Sequence, residues 1–91
     1  MLLQVPPKEF TEFLNTFFKA VTKGLGIKVR RRKHGVCLQF GKKDILLLIL
    51  KAWPSETSNM PVLLDVVAFE YRLGLILKYA SWMADMAEDS N

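Results

Sequence analysis

An α+β domain with the element order α-β-β-β-α is what this sequence predicts, as a three-stranded antiparallel meander with both helices packed on one face. Three observations carry it. Phe10, Phe13, Leu14, Phe17, Phe18 and Val21 recur at the spacing of one buried helix face. The stretch 27–53 breaks into three strand-like runs separated by glycine-containing turns. The stretch 60–88 is mostly apolar, with no proline after Pro61, and reads as a second, longer helix.

The first helix is expected over 7–23. Pro6 and Pro7 can open a helix but not continue one. Thr11, Glu12, Asn15, Thr16, Lys19, Thr22 and Lys23 fill its polar side, and Gly24 and Gly26 close it. Strand one is expected over 27–33. His34 and Gly35 form a two-residue turn in which positive φ is tolerated. Strand two, over 36–40, alternates Val36, Leu38 and Phe40 with Cys37 and Gln39. Strand three, over 45–53, holds six consecutive apolar residues, which predicts that both of its faces are dry.

The second helix is expected over 60–88, capped by Ser58 or Asn59, with Pro61 in its first turn. Its polar stripe, Glu70, Gly74, Lys78, Ser81, Asp85 and Glu88, is narrow. Leu64, Phe69, Leu75, Ile76, Tyr79, Trp82, Met83 and Met86 share the rest of the circumference. A helix this apolar needs cover on more than one side, which one small sheet cannot supply. Leu75, Tyr79, Trp82, Met83 and Met86 are therefore the expected partner interface, tryptophan and methionine being favoured at such contacts.

Ninety-one residues make one domain, 1–91. A single cysteine, Cys37, excludes an internal disulfide and fits a reducing compartment, so an intracellular location, cytoplasmic or nuclear, is expected. No apolar run reaches the ~20 residues of a membrane span, so no membrane insertion is expected. Neither a signal peptide nor a metal-ligand spacing stands out, and no cofactor is implied.

Charge is the sharpest feature. Lys28, Arg30, Arg31, Arg32, Lys33, Lys42 and Lys43 crowd into sixteen residues without an intervening acid. The remainder of the chain carries six Lys/Arg against nine Asp/Glu. A cationic strand and turn on an acidic body is a footprint for a polyanion, and arginine forks match phosphate. If Ile27 and Val29 face the core, Lys28, Arg30 and Arg32 form a ladder on the opposite sheet face. The competing reading is a solvated edge that blocks aggregation.

The α-β-β-β-α order is similar to that of double-stranded RNA-binding domains, the small Alu-domain proteins of the signal recognition particle, and HicA-type RNase toxins. Phe10 through Phe18, then Gly26-Ile27-Lys28-Val29 and the Lys33-His34-Gly35 turn, resemble the signal-recognition proteins in rhythm. These resemblances imply RNA as a partner. The second helix lacks the basic start of the double-stranded RNA binders; Asn59, Met60 and Pro61 stand there. A HicA-like toxin would place an acid/base histidine in this hairpin region, which would fall on His34, but Lys33 and not a Gly-Ser pair precedes it.

Other polar residues are weighed as follows. His34 reads as a turn residue and Cys37 as a small strand residue. Asp65 and Arg72 sit within the apolar face of the expected second helix. They read either as boundary charges that reach a backbone group or solvent, or as a register pin in an oligomer. The expected function is a non-enzymatic, oligomeric binding module that contacts nucleic acid, RNA before DNA, through the basic hairpin. The alternatives are a protein adaptor, assembly factor or inhibitor without nucleic acid and, more distantly, an RNase toxin. A protein partner or homodimer is expected, and no small-molecule substrate.

Overall fold

Two antiparallel sheets and two helices build the described part of the chain. The computed structural model describes residues 2–52 and 62–89, with side chains described for 2–51 and 62–82. In order, the elements are β1 (Leu2–Val5), α1 (Pro7–Thr22), β2 (Ile27–Arg32), β3 (Gly35–Phe40), β4 (Lys43–Ile49), β5 (Lys51–Ala52), β6 (Val62–Asp65) and α2 (Val66–Asp89). The strands form a β2-β3-β4 meander and a smaller β5-β1-β6 sheet. The α+β class and the three-stranded antiparallel meander are as the sequence predicts.

The helix α1 starts with Pro7 at its first position, and the Pro6 carbonyl accepts the Phe10 N–H at 3.0 Å. It buries Phe13, Phe17 and Ala20. Phe18, expected on that face, is exposed and meets Phe17 edge-on at 5.4 Å. One residue is ~100° of helix turn, which carries Phe18 off the contact arc. The helix closes through Gly24 at φ 70. Its N–H donates to Val21 and the Leu25 N–H to Ala20, both carbonyls that would otherwise lack partners.

The meander holds a regular β2/β3 register, from Ile27 opposite Phe40 to Arg32 opposite Gly35. The first turn is Lys33-His34, one residue earlier than predicted, and no residue in it has positive φ. Gly35 opens β3 for a different reason: a Cβ there would run into the Leu48 carbonyl oxygen. Close approach of β4, and not turn conformation, demands glycine.

The single strand predicted over 45–53 is divided. After Ile49 the chain leaves the meander, and Leu50 donates its N–H to the His34 carbonyl at 2.9 Å. Lys51 and Ala52 then pair with Gln4 and Leu3. The one run thus serves both sheets. Trp53 lies outside the described residues.

The helix predicted over 60–88 begins instead at Val66. Val62–Asp65 is extended and pairs with β1 along its length, Leu2 opposite Asp65 and Val5 opposite Val62. The Asp65 carboxylate accepts the Ala68 N–H at 3.2 Å and so caps α2. The boundary-charge reading of Asp65 is therefore the structural one. The expected caps Ser58 and Asn59, and Pro61, lie outside the described residues.

Both helices cover the same side of the meander. Phe69 of α2 lies 5.8 Å, ring to ring, from both Phe10 and Phe13. With Val5, Phe17, Val36, Leu38, Leu48, Leu64 and Leu73 they form one continuous core. Its fully covered Phe and Leu side chains each remove ~1.5–3 kcal/mol worth of apolar surface from water.

Candidate nucleic-acid interface

Strand alternation decides what the other side of the meander shows. Ile27 and Val29 face the helices, so Lys28, Arg30 and Arg32 face away. The expected ladder exists, with about 13 Å between its end residues at ~3.3 Å per step. Its members differ in freedom. Arg30 donates to the Gln39 amide oxygen at 3.3 Å. Arg32 is ion-paired with Asp44 at 3.2 Å, and the Gln39 amide also donates to that carboxylate at 3.4 Å.

Asp44 reaches this face through an irregularity in β4. Leu38 lies opposite Leu46, yet Gln39 lies opposite Asp44, so Ile45 is the extra residue of a bulge. The shift turns the Asp44 carboxylate toward the arginines, while Ile45 borders a shallow depression with Ala20, Leu25 and Ile27 on the helix side. The sequence places Asp44 directly after the basic run but gives no sign that it folds back onto it.

The remaining cations are distributed. Arg31 points to the helix side and lines a groove with Glu70, Tyr71, Gly74 and Lys78 of α2. Lys33 sits in the β2/β3 turn with His34, beside a cleft between the two sheets whose apolar wall includes Leu3, Leu50 and Val66. Lys42 and Lys43 sit at the opposite end of the hairpin, where Phe40 pairs with Lys43. All seven cations are exposed. The expected single patch is thus a ladder on one face with a cationic turn at either end, and Arg31 on the reverse.

Cys37 lies under the ladder. It pairs with Arg30 on one side and Leu47 on the other and is buried. Burial pushes its thiol pKa up, the Asp44 carboxylate adds to the rise, and Arg32 opposes it. His34 is exposed in its turn, its backbone carbonyl engaged by Leu50. Among the described residues, no three His, Cys, Asp or Glu side chains converge to hold a metal.

Apolar side chains share the outer face. Leu47 and Ile49 of β4 are 46% and 43% exposed, so the expectation that both faces of this strand are dry is not met within the chain. A second apolar surface runs along α2. Of the expected partner residues, Leu75, Tyr79 and Trp82 are exposed, and the Tyr79 and Trp82 rings lie 5.8 Å apart. The side chains of Met83 and Met86 lie outside the described residues. Val67 and Tyr71, not singled out from the sequence, extend the same stripe toward the helix start. Their four-residue step from Leu75 was the available signal.

Among the described residues no helix is long and apolar enough to cross a membrane. No family model matches the chain, and no curated protein or solved structure matches it either.

Proposed function

We propose that this protein is a non-enzymatic binding module that holds nucleic acid, RNA ahead of DNA, through the outer face and turns of the β2-β3-β4 hairpins, and meets a protein partner through α2. One observation supports the first half above all others. Seven exposed cations surround one sheet and its turns, and the one ion pair among the described residues joins Arg32 to Asp44. The phosphate contacts fall to Lys28, Arg30, Lys33, Lys42 and Lys43, with Arg32 released from Asp44 as phosphate takes its place. Leu47 and Ile49 lie beside the ladder, and the Arg30 and Arg32 guanidinium planes are the surfaces on that face against which unpaired bases stack. No described aromatic side chain lies on that face, so affinity resides in phosphates and sequence preference is weak.

The test is fluorescence anisotropy with labelled random RNA and DNA across a salt series. Binding is expected to weaken steeply with salt through counterion release. A Lys28→Ala/Arg30→Ala/Arg32→Ala variant, which removes the whole ladder, is expected to lose most of that binding while keeping its circular dichroism. Undiminished binding by the triple variant, or none by the parent at low salt, rules the reading out. In the second case the cations serve an acidic protein surface.

A further inference from the structure

The helix α2 has two apolar sides, and among the described residues only one is covered. Val66, Phe69, Leu73, Ile76 and Leu77 face the core. Val67, Tyr71, Leu75, Tyr79 and Trp82 are 63%, 66%, 47%, 62% and 54% exposed. At ~100° per residue these five fall within roughly 120° of one another, on the side away from the core. Their exposed portions present roughly 500–600 Å² per molecule, taking ~150–250 Å² for each large side chain. Two such stripes together approach the ~1,200 Å² at which specific interfaces begin.

We infer that this stripe pairs with the same stripe of a second copy, antiparallel, about a two-fold axis near Leu75. This names the protein partner of the reading above and is independent of its nucleic-acid half. The stripe is its own complement about that point. Leu75 meets itself, Tyr71 meets Tyr79 of the second copy, and Val67 meets Trp82. A two-fold axis requires such reciprocity.

Charge selects this arrangement over others. Glu70, Gly74 and Lys78 line the same flank of the stripe, one turn apart, in the groove that also contains Arg31. In an antiparallel pair each flank faces its own copy. Glu70 then meets Lys78 of the second molecule, and Lys78 meets Glu70, twice per dimer. In a parallel pair the two-fold would run along the helices, each flank would face the opposite flank of the copy, and Glu70 and Lys78 of the two molecules would not meet. Gly74 lies between them, and a Cβ there would meet nothing within 4 Å in the single chain. Its missing side chain leaves room on that flank for the two charge pairs to reach each other.

Sedimentation equilibrium of the parent is expected to give twice the 10.4 kDa chain mass. Glu70→Lys and Lys78→Glu, each alone, place like charges opposite each other twice and are expected to weaken the dimer about tenfold. Mixed one to one, the two variants restore opposite charges and should recover parental affinity as a heterodimer. Leu75→Cys, at the axis, should form an intermolecular disulfide with its own copy on mild oxidation, whereas Val67→Cys should do so only when mixed with Trp82→Cys. A parent that sediments as a monomer overturns the inference, as does Val67→Cys linking efficiently to itself, which signals parallel pairing. Failure of the two single-charge variants to recover on mixing also overturns it. None of these outcomes alters RNA binding by the hairpin, which the anisotropy series reads separately.

Discussion

Arg32 and Asp44 are joined across the meander at 3.2 Å, and their bridge passes over Cys37. Arg32 pairs with Gly35 at one end of β3, and Asp44 with Gln39 toward the other, with Cys37 between them on the same face. The ion pair itself is open to solvent, so its direct contribution to stability is small, under about 1 kcal/mol. Its consequence is cover for the thiol and restraint on one arginine of the ladder.

Asp44→Ala is therefore expected to lower stability by less than about 1 kcal/mol, while thiol reagents label Cys37 faster. The same change removes the one carboxylate bonded to the ladder among the described residues and should tighten RNA binding. Unchanged labelling kinetics, followed by absorbance of the released reagent, would show that the bridge does not guard the thiol.

Cys37 also gives the stability a pH dependence. Its folded thiol pKa lies above the ordinary value, chiefly because it is buried. The folded state thus holds the proton to higher pH than the unfolded state does. The contribution is fully present below the ordinary thiol pKa, about 8.5, and is lost as pH rises toward the folded value. Urea unfolding of the parent and of Cys37→Ala, compared at neutral pH and above pH ~9, should show an alkaline loss in the parent that the variant lacks. Parallel profiles would contradict this.

Two glycines make opposite predictions. Gly35→Ala drives a Cβ against the Leu48 backbone and forces β3 and β4 apart, an expected loss of roughly 2–3 kcal/mol. Gly26 has open space and no positive φ. Gly26→Ala should be neutral or stabilise by about 0.4–1 kcal/mol through the unfolded chain. Thermal melts resolve the two, since each kcal/mol moves the midpoint by about 4–8 °C in a domain of this size.

Asp65 supplies the cap of α2 through the Ala68 N–H. Asp65→Ala should cost about 1 kcal/mol and Asp65→Ser much less. If Asp65 were instead a register pin between copies, the alanine variant would change sedimenting mass and leave the unfolding midpoint of the dissociated chain unmoved.

Much of the fold was legible because local rules sufficed. The spacing of Phe10, Phe13 and Phe17 specifies a helix face without knowledge of what covers it. The alternation of Ile27 and Val29 with Lys28, Arg30 and Arg32 puts those three cations on the side opposite the core. The small sheet was not legible, because its strands are short and its central pairing joins residues 2–5 to residues 62–65. A four-residue run such as Leu2–Val5 carries no periodic signal, and Val62–Leu64 merges smoothly with the apolar helix after it.

Of the candidate interface, two features were readable from the residues alone: seven cations stand close together in the chain, and α2 carries more apolar surface than one core can use. Both are sums over local composition and periodicity. Three others arise from folding in space: a bulge at Ile45 turns Asp44 onto Arg32, Arg31 leaves the ladder for the α2 groove, and Val67 and Tyr71 join the open stripe. Those outcomes depend on strand register and on which side of a helix meets the core. Register is a pairing between distant residues, and a slip of one position sends every side chain to the other face.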